Sequence, residues 1–146
     1  MIWGYVYIAL MATVLATVLW IGDWECRIAV LTLFAGSALT LAAIYFSGSY
    51  FEGATPLLVA FDFLILAIFT GHALYSRRYW TLPVAALQLI TCSTHLAKLS
   101  APAIVSDAYS AGQGHWAYIQ MVIILIAAIH VRARKKEEAR ARAHRP

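Results

Sequence analysis

Four polar side chains are spaced along one helix face within an otherwise apolar stretch, RRYWTLPVAALQLITCSTHLAK, at residues 77–98. Gln88, Thr91, Cys92 and His95 fall at positions i, i+3, i+4 and i+7, which an α-helix brings to the same side. In an apolar environment, such groups can hydrogen-bond between helices, relay a proton or bind a polar ligand. Their chemistry therefore depends on the side chains that face this stripe.

Asp62 is the carboxylate best placed to face the stripe. The turn before the stripe contains Arg77 and Arg78 and has its midpoint near residue 78.5, so Asp62 and His95 each lie about 16.5 residues from it, hence at equal depth on two straight helices. In a bilayer, Asp62 would lie about 10 Å below the membrane surface. Because an Asp at a membrane helix centre costs about 2.5–3.5 kcal/mol, Asp62 needs a partner or a proton, and His95 is the natural partner.

The last apolar segment brings two more polar side chains, Tyr118 and Gln120, close to the same level. The predicted intramembrane site, called the polar locus below, comprises Asp62, Gln88, Thr91, His95, Tyr118 and Gln120. Two interpretations of the polar locus remain open. It can fix how the helices meet through hydrogen bonds, or it can serve as a proton relay or ligand pocket.

The histidines suggest an alternative chemistry. His72 and His130 both fall near one side of the predicted bundle, and His95 and His115 both fall near the other. Pairs of histidines at matched depth on neighbouring helices can ligate b-type haem. Five histidines in a short chain also form such pairs by chance, so we expect no cofactor and keep haem b as the alternative. No metal site is predicted.

The composition places the chain in a membrane. Of its 146 residues, 62% are hydrophobic and 12% are charged, whereas soluble domains carry about 25% charged residues. The sequence contains no nucleotide-binding loop, HExxH or GxSxG motif. Cys26 and Cys92 form no CxxC motif, and a disulfide between them is not expected. The predicted class is an all-α integral membrane bundle.

Five apolar segments are long enough, or nearly long enough, to cross a bilayer: 2–22, 27–47, 55–76, 80–99 and 115–132. Polar breaks at 22–27, 47–53, 76–80 and 100–114 separate them. The fourth segment has a polar middle and Pro83 in its first turn, so a re-entrant segment, leaving four spans, is the alternative. The first segment lacks a basic leader and is expected to be a retained span. The domains are a transmembrane bundle at 1–132 and a basic tail at 133–146.

The basic residues predict the orientation. Ten of the 11 Lys and Arg residues fall on one side of the predicted bundle, and only Lys98 falls on the other. The positive-inside rule then places the N-terminus outside and the C-terminus in the cytoplasm. The basic residues expected at the membrane surface are Arg77, Arg78, Arg132, Arg134, Lys135 and Lys136. The tail has no interleaved aromatic residues, so nucleic-acid binding is not expected.

The second segment carries small side chains at spacings of three to four. Gly36, Thr40 and Ala43 form one such row, and Ala38 and Ala42 form another. Small residues let helices approach closely. We expect this face to pack within the chain, with dimerisation as the alternative.

The run from Asp62 to Lys98, with its Arg-Tyr-Trp turn before a helix bearing Gln and His, resembles small, uncharacterised multispanning membrane proteins of bacteria. The resemblance implies a bacterial inner-membrane location and carries no activity. The leading hypothesis is a non-enzymatic accessory subunit or assembly factor that packs against another membrane component. The alternatives are a small, oligomeric proton or ion conductor that uses Asp62, His95 and Gln120, a haem or quinone redox protein, and a phage-type lysis protein.

Overall fold

A computed structural model of the chain describes residues 2–47, 56–100 and 106–143. They form five α-helices and, within those ranges, no strand. The helices are α1 (Ile2–Ile21), α2 (Trp24–Ser47), α3 (Pro56–Tyr75), α4 (Thr81–Ser100) and α5 (Ser106–Ala143). The predicted all-α bundle is confirmed.

Two of the predicted breaks are wrong. The first is shorter than expected, because Asp23 caps α2 by accepting a hydrogen bond from the backbone N–H of Cys26 at 3.2 Å, so the helix begins at Trp24 and not at residue 27. The break at 100–114 contains helix from Ser106 onward, since a glycine in a helix costs only about 1 kcal/mol and no proline follows Pro102 until Pro146. The break at 76–80 is confirmed, because α3 ends at Tyr75 and α4 begins at Thr81. Residues 48–55, which include most of the break at 47–53, and residues 101–105 lie outside the described residues.

The helices form a closed ring in chain order. Each helix packs against its sequence neighbours, α1 closes the ring against α5, and α2 also touches α5 across the middle. In this ring α4 lies between α3 and α5. It is one continuous helix with Pro83 in its first turn, where the missing N–H breaks no helical bond. The polar face of α4 is therefore positioned to bridge α3 and α5.

Apolar side chains fill the bundle and also cover its outside. The core contains Val18, Val30, Phe69, Val84, Met121 and Ile124, all at most 2% exposed. Among the described helices, Trp24–Ala43, Pro56–Tyr75 and His115–Ala143 contain segments long and apolar enough to span a membrane, and α1 has a shorter apolar segment, Tyr5–Ile21. Exposed Leu, Ile and Phe side chains line their outer faces. This is the surface of a membrane protein.

Outward-facing hydroxyls are compatible with lipid because their own helices satisfy them. Thr13, Thr17 and Ser93 each donate to the carbonyl oxygen four residues earlier, at 2.8 Å. An unsatisfied hydroxyl in hydrocarbon would cost several kcal/mol, roughly. The hydroxyls therefore add little cost at the lipid boundary.

The small-residue face of α2 packs within the chain at Gly36. A Cβ atom at this position would overlap the side chain of Ile65 on α3, so glycine allows α2 and α3 to approach. At the neighbouring interface Tyr7 of α1 makes a 2.6 Å hydrogen bond to Ser37 of α2. These contacts fix α2 between α1 and α3.

Candidate functional site

Asp62 and His95 meet across the α3–α4 hairpin. The Nε2 atom of His95 lies 2.6 Å from Oδ2 of Asp62, a short hydrogen bond. The side chain of His95 is 5% exposed and that of Asp62 is 20% exposed. The equal-depth argument from the sequence therefore places these two residues correctly, and the buried carboxylate has the partner that its environment requires.

Two glutamines extend this contact to α5. The side-chain amide of Gln88 donates to Oδ1 of Asp62 at 3.0 Å. Gln120 donates to Oε1 of Gln88 at 3.2 Å and to the backbone carbonyl of Val84 at 3.1 Å. Since a carboxylate only accepts, Gln88 must present its NH₂ group to Asp62 and its oxygen to Gln120. The result is a hydrogen-bonded chain from α5 through α4 to α3.

The chain of hydrogen bonds follows the polar face of α4. Val84, Gln88 and His95 lie on one side of this helix, and Val84 and His95, 11 positions apart in sequence, are separated by about 16 Å along its axis. Asp62 accepts from Gln88 and makes a short hydrogen bond with His95, and so joins two turns of α4 to one turn of α3. The arrangement fixes both the register and the rotation of α4.

Three other predicted polar residues lie near this chain without joining it. Thr91 donates to the carbonyl of Leu87 on its own helix at 3.1 Å. Tyr118 packs its ring edge-on against Tyr7, with 5.2 Å between ring centroids. Cys92 is buried, and both cysteine thiols are free, as expected. The hydrogen-bonded core of the polar locus is therefore Asp62, Gln88, His95 and Gln120.

A second polar cluster, which we call the turn cluster, lies at the other end of α3. It comprises Asp23, Glu25, His72, Ser76 and Arg78. Arg78 forms an ion pair with Asp23, and its Nε atom lies 3.6 Å from Oε2 of Glu25. Ser76 donates to the same Glu25 oxygen at 2.6 Å, and Nε2 of His72 lies 3.8 Å from it. The cluster ties the α1–α2 turn to the α3–α4 turn.

The turn cluster is not predicted from the sequence, where Arg78 stands out only as a basic residue at the membrane surface. The sequence does contain a signal for this cluster. Asp23 and Glu25 lie in the first break, Arg77 and Arg78 lie in the third, and both breaks are predicted on the same side of the membrane. Arg78 uses its charge within the protein, while the neighbouring Arg77 is exposed. The count of basic residues predicts an orientation but does not show how each charge is used.

The surroundings of Asp23 change its acidity. Burial raises the pKa of Asp23, but the hydrogen bond with Cys26 and the charge of Arg78 together outweigh burial and hold the pKa below its ordinary value. A carboxylate with a lowered folded-state pKa stabilises the fold above its unfolded-state pKa, near 3.9 on average. That contribution is lost as the pH falls through the folded-state pKa.

We expect Asp23→Asn to lower the unfolding midpoint at about pH 6 and to make that midpoint less sensitive to acid below about pH 4, because the variant has no carboxylate to protonate. Thermal or detergent unfolding at several pH values measures this. Glu138→Gln is the matched control, because Glu138 pairs with Arg134 at 3.9 Å on an exposed helix surface. Parallel pH profiles for Asp23→Asn and the parent protein would contradict the prediction.

The histidines proposed as haem ligands occupy different surroundings. His72 lies in the turn cluster, with its ring edge-on to Trp80 at 5.7 Å. His95 contacts Asp62, and His115 and His130 are exposed. Ligation of haem by His95 through Nε2 would replace its contact with Asp62. Among the described residues, no group of three or more His, Cys, Asp or Glu side chains is arranged to hold a metal ion. The absence of a cofactor stays a prediction, with haem b as its alternative.

The other predicted surface residues lie on the last helix. The guanidinium of Arg132 stacks over the ring of Trp20 at 5.3 Å from the centroid, and Arg134, Lys135 and Lys136 are exposed beyond it.

Comparison of the chain with protein-family models, curated proteins and solved structures finds no match.

Proposed function

We propose that this chain is a non-enzymatic integral membrane protein of the bacterial inner membrane, an accessory subunit or assembly factor that packs against another membrane component. The observation that supports this proposal is the hydrogen-bonded chain of Asp62, Gln88, His95 and Gln120. Its polar groups are occupied in joining α3, α4 and α5. A site whose groups are mutually satisfied holds helices together and presents no free nucleophile or base to a substrate.

The surroundings of the polar locus favour the same function. Phe69 lies between Asp62 and His72 on α3 and is buried. The neighbouring core side chains Val84, Met121 and Ile124 are also buried and apolar. By their positions along α3, α4 and α5, these buried apolar side chains lie between the level of the polar locus and the level of the turn cluster. The outer faces of the helices offer a wide apolar surface to lipid or to another membrane protein.

The decisive experiment is purification of the full chain in mild detergent, followed by size-exclusion chromatography, mass spectrometry and a visible absorption spectrum. We expect a second membrane protein to co-elute in fixed proportion. A homo-oligomer without another protein would contradict the accessory function and favour conduction. A haem absorption band in the visible spectrum would favour the redox alternative.

One observation favours proton or ion conduction as the second candidate. The short contact between Asp62 and His95 joins two titratable groups inside the bundle, and Asp62 keeps 20% of its side chain exposed. Intramembrane carboxylates and histidines of this kind occur in proton relays. Conduction would require the hydrogen-bonded chain to rearrange and water to enter the apolar core.

The proposed orientation places the N-terminus outside and the C-terminus in the cytoplasm, because the turn cluster end and the tail carry almost all of the basic residues. Fusions of alkaline phosphatase and of green fluorescent protein to residue 146 test this orientation. We expect fluorescence and no phosphatase activity. The same two reporters are also fused at residue 50 and at residue 78. The fusions at residue 50 should show phosphatase activity and no fluorescence, and the fusions at residue 78 should show fluorescence and no phosphatase activity. An active phosphatase at residue 146 would show that the orientation is reversed.

A further inference from the structure

Arg132 is held at the end of the bundle by an aromatic side chain. Its guanidinium lies over the ring of Trp20, 5.3 Å from the centroid, at the last turn of α1. Among the described residues, no carboxylate or carbonyl oxygen pairs with this guanidinium. Stacking fixes the plane of the guanidinium and leaves its N–H edges free. Arg132 is therefore oriented to bind an anion through two parallel hydrogen bonds.

Lys136 adds a second positive charge beside Arg132. It lies one turn later, about 6 Å along α5 and about 40° around it. Its side chain is exposed and makes no ion pair within the described ranges. Glu137 and Glu138 lie at least about 100° around the helix from either basic residue. Glu138 pairs instead with Arg134 at 3.9 Å. Two basic groups one turn apart can therefore share one anion.

This pair of basic side chains lies above a lipid-facing part of α5. Ile129 and Val122 are both 51% exposed and lie within about 40° of Lys136 around the helix. Trp20 is 79% exposed at the end of α1, and tryptophan favours the boundary between hydrocarbon and headgroups. The headgroup layer is about 5–8 Å thick on each side, so Arg132 and Lys136, about 6 Å apart, both fall within it. The site therefore offers cations at headgroup level and an apolar surface directly below.

We propose that Trp20, Arg132 and Lys136 bind the headgroup of one anionic phospholipid, such as phosphatidylglycerol. The phosphate accepts hydrogen bonds from the guanidinium edge of Arg132 and from the ammonium of Lys136. One acyl chain lies over Ile129 and Val122. A zwitterionic lipid fits this site less well, because its own ammonium group lies near two cations and away from the two glutamates of α5.

Native mass spectrometry of the full-length protein in mild detergent tests the site, with phosphatidylglycerol and phosphatidylcholine of identical acyl chains as the two probes. Two matched pairs of variants separate the site from the general positive charge of this end. Arg132→Gln is paired with Arg27→Gln, and Trp20→Leu is paired with Trp24→Leu. Arg27 and Trp24 are exposed on the first turn of α2, at the same end of the bundle.

We expect the parent protein to bind phosphatidylglycerol about tenfold more tightly than phosphatidylcholine, and Arg132→Gln to lower the affinity for phosphatidylglycerol about tenfold. Arg132→Lys should lower it about fivefold, because lysine keeps the charge and loses the planar fork. Trp20→Leu and Lys136→Gln should each lower it about threefold, and Arg27→Gln and Trp24→Leu less than about twofold. Because all of these side chains are exposed, each variant should keep the thermal unfolding midpoint of the parent, so a lost affinity reports on the site.

Equal affinity for the two lipids, or equal losses from Arg132→Gln and Arg27→Gln, would overturn the inference, because diffuse attraction to a positive surface gives that result. An Arg132→Lys variant that binds as the parent does would overturn it as well. Inorganic phosphate in large molar excess should leave the bound lipid in place, because phosphate lacks the acyl chains. Displacement of the lipid by phosphate would show a site for a free anion and would overturn the assignment to a phospholipid.

Discussion

His95→Ala is expected to destabilise the folded protein by on the order of 2 kcal/mol, because the substitution leaves the Asp62 carboxylate without its closest partner in a poorly hydrated environment. Asp62→Ala should cost a similar amount, since both His95 and Gln88 lose their acceptor. The double variant should cost less than the sum by about 1 kcal/mol or more, because the second substitution removes a group that the first has already left unpaired.

Unfolding in mixed micelles of mild and denaturing detergent measures these differences. Thr91→Ala is the matched control, because Thr91 lies on the same helix face, between Gln88 and His95, and its hydroxyl bonds to its own helix. Its effect should stay below about 0.5 kcal/mol. Strict additivity of Asp62→Ala and His95→Ala would contradict a direct interaction between the two side chains.

The Asp62–His95 contact was predictable because it depends on two simple periodicities. The turn at Arg77 and Arg78 sets equal depth, and the 3.6-residue repeat places His95 with Gln88 on one face. The cost of an unpaired carboxylate then makes a contact favourable. No such constraint acts on Tyr118, whose amphipathic ring can pack against Tyr7 as readily as it can bond to a distant amide.

The boundaries of α2 and α5 were harder to predict because local sequence signals compete there. The GDWECR break looks like a loop, yet Asp23 at its second position is a strong N-cap and starts α2 at once. Glycines at 112 and 114 suggest a loop, but two flexible residues weaken a helix without ending it. At α2 the capping hydrogen bond decides between two structures that the sequence alone leaves close in energy.

The turn cluster shows a different kind of limit. Counting charges by side is a one-dimensional argument, and it cannot show that Arg78 lies between Asp23 and Glu25. Such pairing depends on how two turns from distant parts of the chain meet.

Asp62→Asn separates the two candidate functions most sharply. The amide keeps the shape of the carboxylate, can still accept from Gln88 through its oxygen, and can donate to His95 through its nitrogen, but it cannot carry a proton between them. If the polar locus joins helices, we expect a stability loss on the order of 1 kcal/mol and no change in proton flux. If the locus conducts, the substitution should abolish flux while the amount and oligomeric state of the protein stay unchanged.

Proteoliposomes with an internal pH dye and an imposed potential measure that flux directly. We expect vesicles with the parent protein to acidify no faster than protein-free vesicles, because buried Phe69, Val84 and Met121 lie between the level of the polar locus and the level of the turn cluster. Asp23→Asn is the matched control, a change from carboxylate to amide outside the polar locus. One pattern would overturn the accessory function: a proton leak in the parent protein and in Asp23→Asn, but none in Asp62→Asn. Only a carboxylate on the conducting path gives that pattern.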